Sequence, residues 1–242
     1  MSATICQQSR GEKLVARLEE KLDKLIQEIV STEFFRDVVD PDGPSDFVHR
    51  FFRNMFLEIY QYQADCSEAT FTAIGRMPKI EGETDLIQMM CALQVEEFDH
   101  GEMALRDYQI LGGDLNAAKS TLRSPESLVA TAVMRQLGER EHPFTYLGYM
   151  FLFERLTPII IEKTGPALRA KGLREEAMGF LELHAEEDIR HSDMISNLIV
   201  DCAERFPDEA HFIEYGFDCF SKVYPQPIWN SVYLRAKEEN NV

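Results

Sequence analysis

Apolar positions recur every three or four residues along most of the chain, a period that predicts helix and not strand. Over residues 10 to 37, Leu14, Leu18, Leu22, Leu25, Ile26 and Ile29 form one apolar stripe. Pro41-Asp42-Gly43-Pro44-Ser45 reads as a turn, with Ser45 or Asp46 placed to cap the next helix. That helix runs to about Arg76 and carries Phe51, Phe52, Phe56, Ile59 and Tyr60; Gly75 to Glu83 breaks the pattern. A third helix is expected from near Thr84 to Leu111, where Gly112-Gly113-Asp114 stops it. Further helices are expected over 126 to 140, over Phe144 to Ala170 with a kink at Pro158, over 174 to 205 and over 208 to 223. Tyr224-Pro225-Gln226-Pro227 separates a short C-terminal helix. The pattern predicts an all-α bundle of about seven helices in one domain over residues 1–242, with an N-terminal helical extension over 1–40 and a core over 45–225.

Charge and composition narrow what such a bundle does. The formal net charge is −17, which disfavours nucleic acid and anionic membrane as partners, since both are polyanions. No apolar run approaches the length of a membrane span and no leader pattern opens the chain, so a soluble, cytoplasmic protein is expected. The five cysteines, Cys6, Cys66, Cys91, Cys202 and Cys219, are odd in number and lack a CxxC pair. Neither a disulfide framework nor a thiolate zinc site is indicated. Cys91 lies in the apolar run Met89-Met90-Cys91-Ala92-Leu93 and is expected in the core.

Three segments carry chemistry: Glu96-Glu97-Phe98-Asp99-His100, the glutamate Glu154 at the end of Tyr149-Met150-Phe151-Leu152-Phe153, and His184-Ala185-Glu186-Glu187-Asp188-Ile189-Arg190-His191. Helical spacing puts Glu97 with His100, and His184 with Asp188 and His191, on common faces. Imidazole nitrogen and carboxylate oxygen together suit iron or manganese, and carboxylates can bridge two ions. Helix bundles build dimetal sites from such Glu-x-x-His pairs and single inward glutamates. A solvated Glu154 is awkward after three apolar residues, and a buried unpaired one costs several kcal/mol. Glu96 and Glu186 read as solvated, His49 and His211 as surface or helix-end residues, and His142, before Pro143 at a helix break, as structural. Glu187 is a second candidate for the role given to Asp188.

These residues resemble a known family, the haem-oxygenase-like diiron oxidases and oxygenases, also called iron-containing redox enzymes. The matching positions are Glu97-Phe98-Asp99-His100, Glu154 and His184-x-x-x-Asp188-x-x-His191, over roughly residues 45 to 225. Ile59-Tyr60-Gln61-Tyr62 is similar to the family's second-helix segment, where histidine often stands in place of Gln61. The resemblance implies a haem-oxygenase-like fold without haem, two bound irons, dioxygen activation, and N-oxygenation or oxidative carbon–carbon cleavage of a small molecule. It also implies a further carboxylate ligand ahead of Glu97, for which Glu58 and Asp65 are the candidates, Glu58 being preferred.

The expected function is therefore a non-haem diiron oxygenase or oxidase, with Glu97, His100 and Glu154 on one side, His184, Asp188 and His191 on the other, and Glu58 added. Two irons are expected, with manganese in place of one as a variant, and no bridging residue is assigned. The expected partners are a small-molecule substrate, dioxygen, an electron donor and a second copy of the chain. Tyr60, Tyr62, Phe144, Tyr146, Tyr149, Met150 and Phe153 are candidates to line the cavity. Two rival classes remain: a ferritin-like iron-oxidising protein, in which His184 is surplus, and a cofactor-free enzyme or binding module whose histidines line an organic pocket.

Overall fold

The apolar stripe of the first helix is buried in full, from Leu14 to Ile29. The structure is a computed structural model that describes residues 8–78, 86–173 and 175–239. Cys6, the expected break at Glu83, the expected helix start at Thr84 and Arg174 lie outside the described residues. Helix α1 (Arg10–Ser31) opens with a capping box between Ser9 and Glu12 and packs against α9 (Gly179–Arg205). The stretch expected as one helix to residue 37 is two. Thr32 ends α1 in an extended conformation and caps α2 (Glu33–Val39) by accepting from the Phe35 amide at 3.3 Å.

The remaining elements are α3 (Ser45–Arg76), α4 (Leu86–Glu96), α5 (His100–Ile110), α6 (Leu115–Ser120), α7 (Pro125–Glu139), α8 (Thr145–Ala170), α10 (His211–Phe220) and α11 (Gln226–Glu238). The described residues thus form eleven α-helices, against about seven expected, and no strand occurs among them. None of these helices is long and apolar enough to cross a membrane.

Two packed groups of helices meet at the site. Helix α3 packs on α5, α7 and α11, while α8 packs on α9 and α10. Helices α8 and α10 approach closely because both lack a side chain at the contact. A Cβ at Gly148 would lie 1.9 Å from the Ile213 carbonyl oxygen, and one at Gly216 1.9 Å from that of Thr145. Helix α5 joins the groups through Asp107, whose Oδ2 accepts from the Phe180 amide at 2.8 Å in the first turn of α9. This satisfies an amide that has no partner within its own helix. The helix bearing His100 is thereby tied to the helix bearing His184.

Candidate metal centre

The buried stripe of α9 is unusual in what it contains. Phe180, Leu181, His184, Asp188, His191, Ser192 and Ile195 are all buried, at helical spacing, whereas Glu186, Ile189 and Arg190 face solvent. Three ionisable groups therefore replace aliphatic ones along a core-facing stripe. On α8, Thr145 to Leu152 are buried and Glu154 follows at 6% exposure.

Proline fixes where Glu154 sits. Pro158 lies inside α8 without breaking it. A proline has no amide to give the carbonyl four residues earlier, which here belongs to Glu154. The Ser192 hydroxyl donates to that carbonyl oxygen at 3.0 Å. The backbone defect on α8 is thus filled from α9, at the residue beside His191, and the segments bearing Glu154 and His191 are locked in register.

Glu97 and His100 are not on one α-helix, as their spacing suggests. A 3₁₀ turn over Glu97–Asp99 separates α4 from α5. Residues i and i+3 eclipse in a 3₁₀ turn, so the pair still meets, with His100 Nδ1 2.7 Å from Glu97 Oε2. The Gln63 amide of α3 donates to the Glu97 carbonyl oxygen at 3.1 Å and holds the turn against the core.

These elements bring six of the seven predicted residues together. Glu97, His100 and His184 form one donor group, and Glu97, Glu154, Asp188 and His191 a second; in each, one ligand atom per residue lies within 4.8 Å of the others. His184 Nε2 is 3.9 Å from Glu97 Oε2. His191 Nδ1 is 3.2 Å from Glu154 Oε2, 3.4 Å from Glu97 Oε1 and 3.7 Å from Asp188 Oδ1. Glu97 belongs to both groups.

The seventh residue, Glu58, lies elsewhere. It is fully buried, but its Oε1 pairs with the Arg235 guanidinium and its Oε2 accepts from the Ser124 and Ser127 hydroxyls at 3.0 and 2.5 Å. It clamps α3 to α7 and α11, and its oxygens are already engaged. The alternative, Asp65, is likewise taken, by Arg123 and by Arg135 at 2.7 Å. Glu187 is half-buried, its Oε2 4.0 Å from His100 Nε2, outside both groups. His142 stacks on Phe212 at 4.3 Å, His211 is exposed and His49 sits on α3; none joins a donor group. Gln61 is spent on the Thr121 carbonyl oxygen, at 2.7 Å. Cys91 is half-buried against the core.

The electrostatics are those of a site short of positive charge. Burial, with Glu154, Glu97 and Glu187 nearby, pushes Asp188 up to about 10. Burial raises Glu154 in spite of its hydrogen bond to His191. Burial also works against Glu97, but the hydrogen bond from His100 and the three surrounding imidazoles outweigh it and hold that carboxyl low. Burial pulls His184 down to about 4, so its neutral form is favoured. His191 resists burial and is pushed up to about 9, chiefly by Glu154, with Glu96 and Glu97 adding to it. Two buried oxygens, Glu97 Oε1 and Asp188 Oδ1, have no hydrogen-bond donor at all. Buried acceptors without a donor are rare, and a cation between the carboxylates would satisfy both. The donor set and its orphaned oxygens fit iron.

The sequence model of the iron-containing redox enzymes matches residues 53–224. This chain belongs to that family. Iron and a redox role follow from membership. Among curated proteins none matches. A domain of unknown function with a heme oxygenase-like fold from Shewanella denitrificans superposes with a TM-score of 0.75 at 17% identity, over 92% of this chain and 93% of that one. A TenA homologue from P. horikoshii gives 0.68 at 12% identity, over 92% and 99%. A TenA homologue from Pseudomonas syringae gives 0.62 at 12%, over 95% and 93%. At such identities the likeness establishes the haem-oxygenase-like fold and nothing about chemistry.

Beside His184 lies a cavity of about 100 Å³ between α2, α3, α8, α9 and α11, walled by Phe34, Phe51, Phe52, Phe153, Phe180 and Trp229 among others. Of the seven aromatic and methionine candidates, only Tyr62 and Phe153 line it. Tyr149 and Met150 face a smaller void of about 30 Å³ beside Glu97 and Glu154. Phe144 and Tyr146 are core residues, and Tyr60 borders an outer groove. Sequence reasoning missed Phe34, Phe180 and Trp229 because they come from three separate segments, α2, α9 and α11.

Proposed function

We propose that the chain is a non-haem diiron oxidase or oxygenase that uses dioxygen on a small, largely apolar organic substrate. The observation that carries this reading is the position of Glu97. One carboxylate common to two donor groups suits a pair of cations and is superfluous for one. His100 and His184 would serve one iron and Glu154, Asp188 and His191 the other, with Glu97 between them. The same donors accept manganese in place of one iron. Bound iron supplies the capacity to activate dioxygen, which no protein side chain has alone.

The chain's own residues supply orientation, selectivity and dryness. The His184 Nδ1 proton is held by the Phe180 carbonyl oxygen at 2.7 Å, which leaves Nε2 free to face Glu97. His184 also lines the apolar cavity, so a substrate there would lie against the donor groups. The lining contains no lysine, arginine, aspartate or glutamate. Its two threonines spend their hydroxyls on their own helix, Thr157 on the Phe153 carbonyl at 3.0 Å and Thr164 on that of Ile160 at 2.8 Å. The remaining polar groups of the lining are the Tyr62 and Tyr224 hydroxyls and the Trp229 indole, so a charged or zwitterionic group seated away from His184 would find no charged partner and would lose its hydration. An aliphatic or aromatic body fits instead, with any polar group at the His184 end. The aromatic walls exclude water from the reacting end.

A ferritin-like reading is less well supported. It needs Glu58 as a ligand, and Glu58 is held by Arg235; it has no use for His184. A cofactor-free reading gains no nucleophile from Cys66, whose thiol burial pushes up to about 12. The test is anaerobic ferrous titration followed by oxygen-electrode screening. About two irons per chain are expected, with dioxygen uptake triggered by apolar amines or acids and not by iron alone. A firm stoichiometry of zero sinks the reading, and iron oxidation without any organic trigger moves it to the ferritin-like class.

A further inference from the structure

Glu96 stands at the surface, 40% exposed, and its sequence context reads as a solvated helix end. Its carboxylate nevertheless reaches inward. Glu96 Oε2 lies 2.9 Å from Nε2 of His191, an imidazole with no exposure at all. Arg190, on the same turn as His191, pairs with that same oxygen and clamps it in place. The opposite ring nitrogen, Nδ1, faces Glu154, Glu97 and Asp188. We propose that Glu96 is a positioning residue, holding the His191 Nε2 proton so that Nδ1 is the atom offered to the metal. This inference rests on the diiron reading given above.

The argument is one of donors and acceptors. An ionised carboxylate only accepts hydrogen bonds. The Glu96 contact therefore places a proton on Nε2. Arg190 Nη2 also lies 3.1 Å from Nε2, but its hydrogen goes to Glu96, since a protonated Nε2 has no lone pair to receive it. With Nε2 as donor, a metal-bound His191 must use Nδ1, and that is the nitrogen already turned towards three carboxylates. A histidine ligand is commonly oriented by what its other nitrogen donates to.

His184 supplies the contrast. Its Nδ1 proton goes to a neutral carbonyl, that of Phe180, and its Nε2 is the free atom. One donor group is thus oriented by the main chain and the other by a charge. A carboxylate partner makes an imidazole a stronger electron donor than a carbonyl does. The two metal positions are therefore inequivalent, and only one of them depends on a surface residue. The bland alternative is that Glu96 and Arg190 form an ordinary exposed ion pair, whose contribution is small.

The experiment compares full-length wild type with Glu96→Ala, Glu96→Gln and Arg190→Ala. Each is titrated anaerobically with Co²⁺, read by its visible absorption, and loaded with ⁵⁷Fe²⁺ for Mössbauer spectroscopy. The expected result is loss of about 10–100-fold in affinity for one of two ions in Glu96→Ala. The loss is smaller in Glu96→Gln, whose amide oxygen still accepts, and smaller again in Arg190→Ala. One of two ferrous quadrupole doublets shifts while the other stays, a change that a merely structural role would not produce. Melting curves of the metal-free proteins stay close to wild type. Superimposable titrations and spectra for Glu96→Ala and wild type overturn the assignment. Uptake of fewer than two ions by wild type removes the diiron reading itself, so the two failures are distinguishable.

Discussion

Glu58 and Asp188 are two acids buried to nearly the same degree, at 0% and 2% exposure, and they do opposite things. Glu58 is saturated. A guanidinium takes one oxygen and two serine hydroxyls take the other, and the result is a strut between α3, α7 and α11. Asp188 is starved. Its Oδ1 has no donor, its nearest neighbours include Glu154 and Glu97, and burial pushes it up to about 10. Burial of an acid is therefore a poor sign of a ligand. What separates a candidate ligand from a strut is whether the protein has already supplied the positive charge. A folded chain gains stability by completing such networks and leaves one incomplete where something else is to complete it.

Exchanging charge for amide at these two positions separates the roles most sharply. Asp188→Asn should reduce iron uptake from two ions to one or none while the helical content stays intact. Without metal it should melt no lower than wild type, because the amide removes a repelled buried acid. Glu58→Ala should do the reverse. Losing one partner of a buried ion pair costs about 3–5 kcal/mol, and Arg235 is one third exposed, so about 2–3 kcal/mol is expected. That corresponds to a drop of about 5–10 °C in a chain of this size. Its iron stoichiometry should stay at two. If Glu58→Ala loses metal while folded, or Asp188→Asn keeps both ions, the contrast is wrong.

Metal itself should act only on the starved region. An ion that binds the native and not the unfolded state stabilises by about 2.7 kcal/mol at 100 times its dissociation constant. Ferrous iron added without oxygen should therefore raise the wild-type melting temperature by several degrees. A His100→Ala/His191→Ala variant, which removes one imidazole from each donor group, should respond much less. Equal responses from the two proteins would mean that these histidines pack the helices and hold nothing.

Much of this was legible in the chain before any coordinates. The apolar stripe of α1, the ends of α7 and α8 and the face carrying His184, Asp188 and His191 follow from helical period and turn residues. The misplacements have identifiable causes. Thr32 splits a continuous stripe by capping in both directions, which periodicity cannot reveal. The 3₁₀ turn at Glu97 leaves the i, i+3 relation intact and so leaves no trace in spacing. Glu58 was a reasonable candidate because the residues that saturate it, Ser124, Ser127 and Arg235, are 66, 69 and 177 positions away. Glu96 is exposed, as its context suggests, and its side chain also reaches back to a buried imidazole, a contact that spacing does not show. A glutamate directly before Glu97 and an arginine directly before His191 are the sequence features that accompany this contact.

The smallest effect expected is at Ser192, and it probes how the α8 backbone and the donor groups are joined. Ser192 is 1% exposed and its hydroxyl donates to the carbonyl that Pro158 leaves without an amide. Removing that hydroxyl should cost about 1 kcal/mol, the usual worth of one hydrogen bond, and up to about 3 kcal/mol if the carbonyl stays dry and unpaired. Ser192→Ala should thus melt a few degrees lower. It should also bind the ion held by Glu154 and His191 somewhat more weakly, because the register between α8 and α9 loosens at those residues. Restoring the missing amide tests the cause. Pro158→Ala should make the serine dispensable, so Ser192→Ala in that background should cost clearly less than it does alone, in a double-mutant cycle read by melting. Strict additivity of the two substitutions would mean that Ser192 and Pro158 act independently, and the account of how Glu154 is positioned would fail.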